Sequence, residues 1–201
     1  MKNFIVSLLV VTATVASTSS AAIIVFTNQT NYDNYASESG ATLSTETFES
    51  FNGYYTNPLV GSTGDVTWSA SAFGGIDVGT VGSSHALSAF LPVPLTLSFS
   101  GAAVQGVSGN VYGTDSNFDV VPCIIRVSMQ DGTLFIGIIS SKTAFLGFYS
   151  TGSAMTEITA SSPLSFGLVY PTVDNLTFAV VPAPGAIALL GIVGFARRRR
   201  R

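Results

Sequence analysis

Eleven carboxylates, one histidine and one cysteine bound the chemistry open to this 201-residue chain. Glycoside hydrolysis needs two carboxyls facing across a sugar, one of them kept protonated. The acids are scattered, and no spacing pairs two of them across a cleft. Glu46 and Glu49 lie three positions apart, so on an extended strand they point to opposite faces. Ser/His/Asp catalysis would have to use His85, in Gly82-Ser83-Ser84-His85. That segment lacks a Gly-x-Ser-x-Gly elbow, and His85 reads as a loop residue leading into a strand. One His and one Cys do not make a zinc site. Cys123 has no partner for a disulfide. It lies in the apolar run Val120-Val121-Pro122-Cys123-Ile124-Ile125 and is expected to be buried. The reading is therefore a protein without catalysis.

Calcium asks only for oxygen ligands, from carboxylates, Asn side chains and carbonyls. Two places offer them. Asp115, Asn117 and Asp119 alternate through one turn, although the Gly and distant Glu of an EF-hand loop are missing. Glu46 or Glu49 on an early strand could also meet Asp174 and Asn175 on the last, closing the fold with a structural ion. The competing reading of both places is turn acids that hydrogen-bond neighbouring backbone amides. Sugar rings, by contrast, stack on exposed aromatics. Tyr54-Tyr55 follows Asn52-Gly53 in a loop and is the better platform for glycan contact. Trp68, in Val66-Thr67-Trp68-Ser69-Ala70, shares a face with two apolar residues and reads as core.

Charge narrows the partners. Apolar residues make up 47% of the chain and charged residues only 9%, against about 25% in an ordinary domain. Of eight Lys and Arg, only Arg126 and Lys142 lie between residues 23 and 181, where all eleven acids also lie. Two cations against eleven carboxylates leave that region at −9. A nucleic-acid backbone would be repelled, because binding it requires Lys and Arg to displace counterions.

The elements that must position these residues are strands. Ile23-Ile24-Val25-Phe26 is a β-branched run, and Thr27-Asn28-Gln29-Thr30 offers caps for one short helix over about 30–38. From Thr42 on, Thr, Val, Phe and Ile runs are broken by Gly, Asn, Asp and Pro. Ten strands are expected over 43–51, 66–72, 86–90, 95–100, 105–112, 124–130, 133–139, 144–149, 155–160 and 174–180. Asp131-Gly132 between two of them predicts a two-residue type I′ hairpin. About ten short strands at ten-residue spacing predict an all-β fold, an antiparallel jelly-roll-like β-sandwich with one short N-terminal helix.

Both ends of the chain read as addresses. Met1-Lys2, an apolar stretch over 4–15 and small residues to Ala22 follow the layout of a secretory signal peptide, expected over residues 1–22. A domain over 23–180 follows. The last 21 residues hold Val181-Pro182-Ala183-Pro184, an uncharged stretch over 185–196 and the block Arg197, Arg198, Arg199, Arg200, Arg201. Twelve residues of helix span about 18 Å, short of a hydrocarbon core of about 30 Å. Flanking residues and snorkelling arginines narrow the gap for a C-terminal transmembrane sorting helix. Arginines on the cytoplasmic side place residues 23–181 outside.

This three-part tail resembles the PEP-CTERM sorting domain, in a Val-Pro-Ala-Pro variant in which Ala183 stands where the family has Glu. The resemblance implies export, processing by signal peptidase, and handling by an exosortase-like membrane enzyme near Pro182–Pro184. It implies residence at the cell surface or in an extracellular matrix of exopolysaccharide. Two other functions remain beside it: a carbohydrate-binding module, and a secreted glycoside hydrolase.

Overall fold

In a computed structural model, residues 22–163 and 167–182 are described. The expected signal peptide up to Ala21, and the sorting tail from Ala183 through Arg201, lie outside the described residues. Among the described residues fifteen strands and one helix follow in order: β1 (Ile23–Phe26), α1 (Gln29–Glu38), β2 (Thr42–Glu46), β3 (Gly53–Tyr55), β4 (Leu59–Thr63), β5 (Val66–Ser71), β6 (Ile76–Val81), β7 (Ser84–Ala89), β8 (Leu95–Gly101), β9 (Val104–Thr114), β10 (Val120–Val121), β11 (Cys123–Met129), β12 (Leu134–Ile139), β13 (Phe145–Ser150), β14 (Glu157–Ser161) and β15 (Tyr170–Val180).

All pairings are antiparallel and form two sheets. The larger runs β1-β13-β9-β15-β7-β6-β3, with β10 on β9 and β2 on β15; the smaller runs β12-β11-β14-β8-β5-β4. Alternation explains the smaller sheet. Leu95, Leu97 and Phe99 of β8 turn inward, as do Ile125 and Val127 of β11, while their neighbours are more exposed. From the larger sheet Val78, Leu87, Val107 and Phe178 join them in one core. Phe99 and Phe178 meet edge-to-face across the layers at 5.2 Å.

Trp68 is fully buried, as its pattern predicts. Its ring lies over Gly61 on the paired strand, where a Cβ would come within 2.2 Å of it. Phe48 and Phe51 meet it edge-on, and its indole N–H donates to Glu46 at 3.2 Å. Cys123 is buried and free, and burial pushes its thiol up.

Helix α1 begins where the caps predict. Asn28 accepts the Asn31 amide at 3.0 Å. Its buried face, Tyr32 and Ala36, closes a second small core with Tyr149 and Ala179 on the outer face of the larger sheet. Gly106 and Gly147 leave the space for Tyr32, since a Cβ at either would lie 2.6 Å from it.

Three local expectations are corrected. The β11–β12 turn is a three-residue loop, not a two-residue type I′ hairpin. The Gly132 amide donates to Met129 at 3.0 Å, Gly132 alone takes a positive φ of 87°, and Met129 pairs with Thr133. That is a type I turn followed by a glycine bulge. Glu49 does not share a strand with Glu46, because β2 ends at Glu46 and Phe48 turns the chain at φ 60°. His85 lies inside β7, paired with Thr80, rather than in a loop before it. The short or glycine-bearing strands β3, β4, β6 and β10 were not among the ten expected.

Candidate functional site

The outer face of the larger sheet carries the site. One row crosses five strands in register: Tyr54 on β3, Asp77 on β6, Ser88 on β7, Thr172 on β15 and Tyr112 on β9. Strand alternation puts all five side chains on the same face. Three hydroxyls link here. Thr114 and Thr172 lie 2.8 Å apart, the Thr172 hydroxyl donates to Ser88 at 3.1 Å, and Ser88 donates to the Pro171 carbonyl at 3.2 Å. All three residues are buried. Buried hydroxyls satisfied by one another form a fixed polar floor.

The loop 115–119 folds over this floor and makes a pocket of about 250 Å³. Its walls are Asp77, Phe90, Leu91, Asp115, Ser116, Phe118 and Tyr170. Phe118 takes φ 64° and rests on Gly79, where a Cβ would come within 2.3 Å of its ring. Phe90 is 45% exposed and meets Tyr54, 52% exposed, at 4.8 Å between ring centroids. Aromatic faces beside two carboxylates and fixed hydroxyls suit a neutral polyhydroxyl ligand: apolar sugar faces stack and hydroxyls find acceptors.

Comparison with family models, with curated proteins and with solved structures returns no match. The site therefore stands on its own geometry.

The expected glycan pair divides. Tyr54 extends the pocket rim, with its hydroxyl donating to the Gly74 carbonyl at 3.1 Å. Tyr55 is half-buried against Phe51, and its hydroxyl accepts the Asn52 amide. The Asp115, Asn117 and Asp119 loop is closed on itself. Asp115 Oδ1 accepts the amides of Asn117 at 2.8 Å and Asp119 at 3.0 Å. That is the Asx-turn arrangement. Among the described residues no group of three His, Cys, Asp or Glu stands close enough together to hold a metal ion.

The second acidic group does assemble in part. β2 pairs with β15 as expected, but Glu46 is taken up by the Phe48 amide and Trp68. Glu49 instead meets Asp174 through Ser84, whose Oγ lies 3.0 Å from Glu49 and 3.1 Å from Asp174. Asn175 turns at φ 52°; its amide donates to Asp174, and its side chain reaches Asn110. One hydroxyl hydrogen cannot serve two carboxylates. The His85 amide and Ser84 hold Glu49 below the usual carboxylate range, whereas burial pushes Asp174 up.

Asp77, Phe90, Phe118 and Tyr170 line the pocket without a motif in the sequence that marks them. The one signal was Asp77, a carboxylate between Ile76 and Val78.

At the other end of this face the two expected addresses join the domain. Ala22 pairs with Thr151, and Val181 borders the same shallow depression with Thr151, Ser39 and Gln105. Pro182, the last described residue of the sorting motif, follows it. Tyr170 and Val180 are the two ends of β15, roughly 30 Å apart at strand rise.

Proposed function

We propose that this chain is an exported, non-catalytic protein of the cell surface or exopolysaccharide matrix, built as a jelly-roll-like β-sandwich and sorted by its C-terminal tail. The tail, from Val181-Pro182-Ala183-Pro184 to Arg197–Arg201, resembles the PEP-CTERM signal. Its partners on this reading are the export machinery, signal peptidase and an exosortase-like membrane enzyme. The observation that carries it is the convergence of Ala22 and Val181 at one end of the larger sheet. A domain tethered at that end leaves its opposite end free. Intact-mass analysis of the native protein tests the reading. A chain starting near Ile23 and ending near Pro184 is expected; a chain retaining Met1 and Arg201 would overturn it.

The pocket favours a second, compatible reading: a carbohydrate-binding module for the extracellular polysaccharide. Tyr170 places the pocket at the far end of β15 from the tether, where a polysaccharide strand can reach it. A glycan array probed with the wild type and Phe90→Ala tests this. Binding lost in the variant supports it, binding unchanged removes it, and release of reducing sugar would put a glycoside hydrolase in its place.

A further inference from the structure

The pocket beneath the 115–119 loop has a hydrogen-bonding bias that follows from its hydroxyl hydrogens. Each hydroxyl has one hydrogen to give. Thr172 gives its own to Ser88 or to the Tyr170 carbonyl, each at 3.1 Å. Ser88 gives its own to the carbonyl of Pro171 at 3.2 Å or of Ala89 at 3.3 Å. Either way, the 2.8 Å contact between Thr114 and Thr172 needs Thr114 as donor. All three hydrogens are spent inside the floor. Ser88 and Thr114, which line the pocket, turn only lone pairs toward it.

The carboxylates add to that bias. Asp77 stands opposite Ser88 on the neighbouring strand, with Cβ atoms about 5 Å apart. Its half-buried side chain makes no hydrogen bond or ion pair among the described residues. Asp115 spends Oδ1 on two amides of its own loop and leaves Oδ2 open. Four of the six polar side chains lining the pocket therefore only accept; Ser116 and Tyr170 are the other two. No cation balances them. Lys142 is directed at the Val81 carbonyl at 3.4 Å, four positions along β6 from Asp77 and about 13 Å away at strand rise. Arg126 lies on β11, in the other sheet.

We propose that the pocket takes an amino sugar, a free ammonium on an otherwise neutral glycan, with the ammonium held by Asp77 and Asp115 over the oxygens of Ser88 and Thr114. The proposal rests on the carbohydrate reading and narrows its ligand. An ammonium carries three donors and no acceptor, the complement of this lining. Its hydrogen bonds to a carboxylate are charge-assisted and about twice as strong as neutral ones. The rings of Phe90, Phe118 and Tyr170 on the same walls attract a cation as well as an apolar sugar face. A sugar hydroxyl brings one donor and an oxygen that this lining leaves unmatched. An N-acetyl group removes the charge and adds a carbonyl acceptor. A uronic acid sets a third carboxylate beside two, in a region already at −9.

Calorimetric titration of the full chain with a glucosamine tetrasaccharide, its N-acetylated counterpart and a glucose tetrasaccharide of the same linkage tests this. The free amine should bind at least about tenfold more tightly than either of the others, and its advantage should shrink as salt is raised. Asp77→Asn keeps the shape of the pocket and should remove most of that advantage. Glu38→Gln, exposed on α1 and away from the pocket, removes the same charge and should leave it intact. Equal or tighter binding of the acetylated or the glucose form would overturn the amino-sugar proposal and leave the carbohydrate reading standing. An amine preference that survives Asp77→Asn would overturn the assignment to this pocket. Binding of none of the three would overturn both the proposal and the reading beneath it.

Discussion

The outer face of the larger sheet is closed at one end and open at the other. At the closed end α1 lies down on Gly106 and Gly147; Phe26, Tyr32, Tyr35 and Tyr149 interlock, mostly edge-on, with Phe26 and Tyr35 tilted at 48°. At the open end the covering segment is only a five-residue turn, and Tyr54, Asp77, Phe90 and Tyr170 remain reachable. Both ends use aromatic residues on the same pleated surface. The difference is whether a helix supplies a partner for every ring. Where it does, the aromatics stabilise; where it does not, they are free to meet a ligand.

The comparison breaks first at the closed end. Tyr32→Ala removes the largest side chain under α1 and should cost about 3–5 kcal/mol, seen as a large fall in Tm. Glycan binding by the fraction still folded should not change. If binding fell in step with Tm below the transition, the two ends would not be separable.

At the open end the expected effect is on affinity. Phe90→Ala should weaken glycan binding about tenfold, in line with roughly 1.4 kcal/mol for a lost ring contact. Tm should move little, because Phe90 is half exposed. Tyr55→Ala, by contrast, should leave affinity unchanged, since that ring packs on Phe51 rather than the pocket. Calorimetric titration with the array's best glycan separates the two.

Between the ends sits Asp174, where β15 bulges. Burial raises its titration above that of the unfolded chain, so the native state holds the proton more tightly there. Its contribution to stability is then present below about pH 4 and declines as pH rises through the window above it. Asp174→Asn keeps an acceptor for the Asn175 amide and gives Ser84 a donor. It should raise stability at pH 7 by about 1 kcal/mol and lose that advantage at pH 3. Denaturant melts at the two pH values read this directly. Glu49 runs the other way: its lowered titration gives stability present at neutral pH and lost as pH falls below the usual glutamate range. Glu49→Gln should therefore destabilise at pH 7 and become neutral in acid.

The smallest effect is expected from metal removal. Asp115 already accepts two amides, so EDTA should shift Tm by less than about 1 °C, equivalent to a few tenths of a kcal/mol. A larger fall would place a structural calcium after all.

What could be read in the residues follows the range of the forces involved. Strand β8 alternates cleanly, and its inward Leu95, Leu97 and Phe99 are those the pattern picks, whereas β12 is apolar on its exposed face as well. Trp68 was legible because Val66 and Ala70 share its face. The hairpin at Asp131 was located but mistyped: a glycine after Asp suits either a two-residue turn or a bulge, and cross-strand register decides between them. β3, β4 and β6 carry Gly53, Gly61 and Gly79, which weaken the local signal; Gly61 admits Trp68, Gly79 admits Phe118, and Gly53 takes φ 84°. The pocket was not legible. Tyr54, Asp77, Ser88, Thr172 and Tyr112 become neighbours only through four strand pairings between residues as much as 84 positions apart. Spacing along the chain carries no trace of that row.

On the proposed reading the domain is exported, with its tether and its pocket at opposite ends of the larger sheet. Single cysteines at Ser39, beside Val181, and at Ser116, on the pocket, probe this with buried Cys123 as background. Intact cells are treated with a membrane-impermeant maleimide before any chain is released. Rapid labelling of Ser116→Cys with slower labelling of Ser39→Cys is the predicted result. Labelling of neither until the cells are lysed would contradict it.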